Sequence, residues 1–272
     1  MQSHIASPWN HAIAFLQLAY REHTFASASG FFWSDSGRTF LVTNWHNFSG
    51  KNPSTDQPID KMARLPDRVV FTVMARSTEL SDGFYEVKAV PLVAELGGVD
   101  QPDSTWFEHP SLGRNVDIAA LDVTDILAGQ RIIVSYANEL ESDAALDPFV
   151  SQDVFIVGYP IGLVANVPIP VWKRGTIATE PLFDPDDQPK VYVDAATRQG
   201  MSGSIVLARH LRFGPYKKRD GAIVNMFYAQ LDLVLGVYSG RLHAHNVEAQ
   251  LGVVWKRHLI HDTVRGGARP KW

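Results

Sequence analysis

The sequence contains no cysteine. It therefore forms no disulfide, has no thiolate nucleophile and offers no cysteine ligand to zinc. It also lacks any apolar run of the roughly 18 residues needed to span a bilayer. Its first ten residues, Met1 to Asn10, have no basic segment followed by an apolar one, so no secretion signal is read there. Neither sign of charge dominates. Lys and Arg number 25 against 29 Asp and Glu, for a net charge of -4, which gives no global field to gather nucleic acid or an acidic membrane surface. These absences predict a cytoplasmic protein without a nucleic-acid or membrane partner. What is present is ordinary for a folded chain: 272 residues, 45% hydrophobic and 20% charged, enough for a large core in one domain or two.

Short β-rich runs fill both halves of the chain. Ile13 to Tyr20, Phe25 to Trp33, Thr39 to Thr43, Arg68 to Met74, Tyr85 to Val93 and Asn115 to Val123 read as strands, with turn residues at Ser34 to Gly37 and Ser81 to Gly83. Lys51 to Asp60 is a loop by composition, and the polar stretch from Thr124 to Pro148 separates the halves. The second half repeats the style at Val154 to Tyr159, Trp172 to Thr179, Lys190 to Asp194, Ser204 to Ala208, Ala222 to Ala229, Leu233 to Ser239 and Leu251 to Trp255. Trp255, Leu259, Ile260 and Val264 then fall at helical spacing, so a helix closes the chain.

One stretch carries chemistry: Asp194-Ala195-Ala196-Thr197-Arg198-Gln199-Gly200-Met201-Ser202-Gly203-Ser204. A Ser hydroxyl needs a base to take its proton and fixed donors to hold an oxyanion. Gly200, free of a Cβ, can turn the backbone so that its N–H and that of Ser202 converge. Alone, such a turn is an ordinary Gly/Ser loop. Two other stretches answer it: His46 follows the run Thr39 to Thr43, and Asp117 opens the apolar run Ile118 to Leu121. Asp122 and Asp125 compete for the acid's role, but only Asp117 stands where burial against an imidazole is expected. His243 and His245 alternate as a strand-face metal pair would, yet without a third ligand they read as loop residues. The basic stretch Arg209, His210, Arg212, Lys217, Lys218 and Arg219 reads as a solvated hairpin. An α/β-hydrolase elbow is excluded because the acid precedes the Ser and Ser204 occupies the elbow's last glycine position.

The order His, Asp, Ser is that of the chymotrypsin-like peptidases, and the local text resembles theirs. Phe40-Leu41-Val42-Thr43-Asn44-Trp45-His46 is similar to the strand that ends in Thr-Ala-Ala-His, with both alanines replaced. Asp117-Ile118-Ala119-Ala120-Leu121 is similar to Asp-Ile-Ala-Leu-Leu. Around Ser202 the likeness is to the HtrA-like bacterial branch, as it is at Gly158-Tyr159-Pro160-Ile161-Gly162, while Leu235 to Gly240 resembles the strand lining the specificity pocket. The chain leaves no room for a PDZ domain.

This resemblance implies an all-β fold of two six-stranded antiparallel β-barrels with a C-terminal helix: residues 1–130 carry His46 and Asp117, and residues 131–272 carry Ser202. It implies a serine endopeptidase acting on protein or peptide substrates through a His46-Asp117-Ser202 triad, with an oxyanion hole at Gly200 and Ser202. No metal or other cofactor is expected. The rival reading is a catalytically silent protease-fold binding or scaffold module in a bacterial defence or signalling assembly. Counting back from Ser202 along the family pattern sets Ala196 at the base of the specificity pocket, Thr197 beside it and Ser239, Gly240 and Arg241 on the facing strand. An uncharged base predicts cleavage after small or medium uncharged residues; Arg241 offers an acidic side chain as the alternative. Met201 stands where the digestive enzymes have an Asp, so a new N-terminal ammonium has no counter-charge there. Activity is thus expected either without trimming or on ordering of the Arg198 to Ser202 loop by substrate or by a regulatory protein partner.

Overall fold

The computed structural model describes residues 7–76, 87–97, 103–130, 132–161, 169–242 and 251–270. Strands form where apolar residues recur. β1 (Ile13–Tyr20), β2 (His23–Asp35), β3 (Arg38–Thr43), β4 (Arg68–Arg76), β5 (Val87–Glu95), β6 (Trp106–Glu108) and β7 (Ala119–Asp122) make one antiparallel sheet in the order β5-β4-β1-β2-β3-β7-β6. This sheet has one strand more than the six predicted. The addition is β6, whose three residues are too few to carry an alternating signal. The sheet's two outer strands meet at Thr105, whose N–H donates to the Leu96 carbonyl at 3.4 Å and whose hydroxyl donates to the Glu95 carbonyl at 2.5 Å.

In the second half, β8 (Asp153–Gly158), β9 (Val171–Ile177), β10 (Lys190–Asp194), β11 (Ile205–Phe213), β14 (Tyr228–Arg241) and β15 (Leu251–Lys256) form a closed antiparallel barrel, ordered β10-β15-β14-β11-β8-β9. A small hairpin of β12 (Tyr216–Lys217) and β13 (Ile223–Val224) stands apart. It replaces most of the strand predicted from Ala222 to Ala229. The stretch between the halves carries two short helices, α2 (Thr124–Gly129) and α3 (Ala137–Leu140). The closing helix is α4 (His258–Gly266), so Trp255 belongs to β15 and not to the helix. The turn predicted at Ser81 to Gly83 lies outside the described residues. Among those described, no helix is long and apolar enough to cross a membrane.

Among the described residues, three large apolar cores follow from strand alternation, beside a small cluster of Ala144, Ala229 and Leu231. Phe32, Leu41, Phe48, Phe71 and Trp106 fill the first sheet; Val191, Val193, Val206, Leu235 and Val254 fill the barrel. Between them, Phe31, Trp33, Phe40, Val157, Ile205 and Leu207 form a third core, on which Leu259 and Ile260 of α4 also pack. Phe31 and Phe32, adjacent on β2, thus face different cores and are both fully buried. Each such side chain contributes about 1.5–3 kcal/mol relative to exposure. The third core fixes the two sheets against each other, and the cleft described next opens at its edge.

Candidate active site

Antiparallel pairing brings the first two residues together. β3 runs beside β7 with Thr43 opposite Ala119 as the terminal pair. His46, just beyond the end of β3 in α1 (Trp45–Ser49), and Asp117, two residues before β7, therefore share one end of the ladder. Asp117 was predicted to begin the strand; it lies just ahead of it, in the connection. The Asn44 side-chain amide donates to the Asp117 carbonyl at 2.7 Å and holds the connection there.

The Asp117 carboxylate is buried, with 3% of the residue exposed. Oδ2 lies 2.7 Å from His46 Nδ1, Oδ1 accepts from the His46 N–H at 2.9 Å, and the Ser239 hydroxyl also donates to Oδ2. Burial pushes this carboxyl up, but the His46 charge and the hydrogen bonds from His46 and Ser239 more than offset it, and the group sits below the usual carboxylate range. With Nδ1 donating to Asp117, His46 Nε2 is free to accept a proton. The competitor Asp122 is engaged elsewhere, on Arg38 and Thr124.

Ser202 lies in the connection from β10 to β11, within two successive turns. The Met201 N–H donates to the Arg198 carbonyl at 3.3 Å and the Ser204 N–H to the Met201 carbonyl at 3.0 Å. The third residue of each turn is a glycine at positive φ, Gly200 at 89° and Gly203 at 83°, as type II turns require. A Cβ on Gly200 would stand 2.5 Å from the Tyr159 carbonyl oxygen, so no other residue fits. Among the described residues, neither the Gly200 nor the Ser202 N–H donates to a protein acceptor. The Met201 side chain is fully buried in the barrel core.

The first sheet reaches across to hold these turns. Ser29 Oγ donates to the Gly200 carbonyl at 2.8 Å, accepts from the Tyr159 N–H at 2.8 Å, and the Ser29 N–H donates to the Ser202 carbonyl at 2.9 Å. Nothing in the sequence around Ser29 marks this role, because its partners are 130 to 173 residues away. Gly158 leaves the space in which the Ser29 and Ser204 hydroxyls sit.

His46, Asp117 and Ser202 line one cleft of about 720 Å³ between the sheets, together with Thr197, Gly240 and Arg241. No hydrogen bond joins the Ser202 and His46 side chains. Ala196 is exposed and is not among the lining residues. Its neighbour Thr197 is, with its hydroxyl on the Tyr238 hydroxyl and its carbonyl accepting from Arg241. Ser239 also lines the cleft, with its hydroxyl donating to Asp117. Lys190 also lines the cleft, and no motif pointed to it. The basic stretch read as a solvated hairpin divides: Arg209, His210 and Arg212 lie on barrel strand β11, Arg209 pairing with the buried Asp232, while Lys218 pairs with Asp143 and Arg219 with Glu141. Among the described residues no cluster could hold a metal; His243 and His245 lie outside them.

The sequence matches the family model of the trypsin-like peptidase domain over residues 28–213. The chain belongs to the trypsin-like peptidase family. That span contains His46, Asp117 and Ser202. No curated protein matches this trypsin-like chain. Among solved structures, the active form of the Rv3671c protease from M. tuberculosis is 18% identical, with a TM-score of 0.49, covering 96% of this chain and 83% of its own. The serine endoprotease from Yersinia pestis is 13% identical at TM-score 0.48, covering 96% and 66%. An HtrA-type protease, AlgW, with a tripeptide is 14% identical at TM-score 0.45, covering 96% and 63%.

Proposed function

We propose that this trypsin-like family member is a serine endopeptidase. The observation that carries the reading is the pairing of His46 Nδ1 with the buried Asp117 at 2.7 Å, in a cleft that also contains Ser202. In this reading the seven-stranded sheet and the closed barrel are the two barrels of a chymotrypsin-like fold, residues 1–130 supplying the base and its acid and residues 131–272 the nucleophile.

Each group has one task. His46 Nε2 takes the Ser202 Oγ proton as Oγ attacks the substrate carbonyl carbon, and Asp117 holds the tautomer and stabilises the imidazolium. The Gly200 and Ser202 N–H groups, which have no protein acceptor of their own, bind the oxyanion. His46 then gives its proton to the leaving amine, and water repeats the sequence to release the acyl group. The chemistry requires no metal or organic cofactor.

The absence of a Ser202 to His46 hydrogen bond is the one observation favouring a silent binding or scaffold module. Catalytic hydrogen bonds without substrate are often long and tighten in the complex, so the peptidase reading stands ahead of it. The test is digestion of an unfolded protein substrate. Wild type is expected to produce fragments, and Ser202→Ala and His46→Ala, with unchanged melting, are expected to produce none. Fragments from Ser202→Ala at the wild-type rate would sink the proposal.

A further inference from the structure

The proposed chemistry leaves a set of positive charges in the cleft unused. The chain as a whole is acidic, at -4, yet among the described residues the cleft is lined by Arg114, Lys190, Arg198 and Arg241 against a single carboxylate, Asp117. That carboxylate is already held by His46 and Ser239. Arg114 is answered by Asp56 at 3.0 Å. Among the described residues, the other three cations have no carboxylate at ion-pair distance.

Two of them are built into the cleft and do not simply wave over it. Arg241 ends β14, two residues beyond Ser239, and its guanidinium donates to the Thr197 carbonyl, five residues before Ser202. It is thereby fixed in the cleft that Ser202 also lines, with further N–H donors available. Lys190 opens β10 opposite Trp255 of β15, with Nζ 4.8 Å from the Trp255 ring centroid. Burial holds this ammonium below the usual lysine range, and Asp186 and Asp117 act on it only through space. A half-buried cation resting on an aromatic face is short of hydrogen-bond acceptors, so a carboxylate entering the cleft gains more from it than from a solvated lysine.

We propose that the cleft selects polypeptide segments bearing acidic side chains, with Arg241 and Lys190 as the specificity-determining cations. The proposal rests on the peptidase reading in that it takes the cleft as the substrate's seat, and it replaces the small uncharged preference inferred from Ala196, which does not line the cleft. A basic segment meets like charges at both points and is rejected. An uncharged one leaves both cations unanswered.

The experiment has two arms. Peptides of equal length, acidic, uncharged or basic, are titrated against the full-length Ser202→Ala chain by fluorescence anisotropy. In parallel, wild type is treated with a fluorophosphonate to read the serine chemistry independently. The acidic peptide is expected to bind tightest. Arg241→Glu and Lys190→Glu are each expected to weaken it roughly tenfold to a hundredfold, and the double variant to favour the basic peptide. Lys217→Glu, an exposed site outside the cleft, changes the net charge equally and is expected to leave the preference alone. Arg241→Gln and Lys190→Gln serve if the reversals do not fold. Equal or tighter binding of the uncharged or basic peptide, a shift with Lys217→Glu as large as with the cleft variants, or no binding of any peptide overturns the proposal. If labelling occurs alongside such a result, the peptidase reading survives it. Acidic preference without labelling supports the proposal and removes the serine chemistry.

Discussion

The Ser29 hydroxyl, on the first sheet, donates to the Gly200 carbonyl oxygen, in the turn before Ser202, at 2.8 Å. The same residue takes the Tyr159 N–H on its hydroxyl and gives its own N–H to Ser202, and its carbonyl accepts from the Thr43 hydroxyl at 2.7 Å. The three bonds that involve a side-chain hydroxyl are buried, so the turn at Gly200 is held by the sheet that carries His46. Ser29→Ala removes both the bond from the Tyr159 N–H to the Ser29 hydroxyl and the hydroxyl's own bond to the Gly200 carbonyl. It is expected to cost about 1–3 kcal/mol of stability, read from urea unfolding, and to slow fluorophosphonate labelling with little change in peptide affinity. Unchanged labelling would leave Ser29 a purely structural residue.

Gly200→Ala forces a left-handed φ on a residue with a Cβ and drives that Cβ onto the Tyr159 carbonyl. The turn must shift, and the N–H donors with it. The expected loss is roughly 100-fold to 1,000-fold in turnover, while acidic-peptide binding to the cleft persists. Retention of wild-type turnover would place the oxyanion elsewhere.

The readable parts of the sequence were the ones with local signals. The strands β1 to β5 announce themselves by β-rich runs bounded by turn residues, and the triad candidates by short motifs beside such runs. β6 is too short to register. Ser29, the tie from Asn44 to Asp117, and the engagement of Ser239 by Asp117 depend on pairings between distant strands, which no local pattern encodes. Counting residues back from Ser202 points to Ala196, whereas Thr197 lines the cleft and Ala196 is exposed outside it; the path of the loop decides which neighbour faces inward, and no local pattern encodes it. Lys190 escaped because a lysine at the start of a strand is usually solvated, and only the position of Trp255 makes it otherwise.

Asp117 links the site to pH. Its carboxyl is held below the usual value in the folded protein, so its ionisation adds stability that is fully present above the unfolded value of about 3.9 and is lost as pH falls through the lower folded value. The melting difference between wild type and Asp117→Asn is therefore expected to be constant through neutral and mildly acidic pH and to shrink only below about 4. A difference that shrinks already between pH 7 and pH 5 would assign the linkage to another group.

Ser202 is proposed as the nucleophile, activated by His46 and Asp117. The most direct test is mass-spectrometric mapping of the fluorophosphonate adduct on the full-length chain. One adduct is expected, on the peptide containing Gly200 to Ser204 and assigned to Ser202, absent from Ser202→Ala and strongly reduced in His46→Ala. An adduct on another residue, or undiminished labelling of Ser202→Ala, would contradict this proposal.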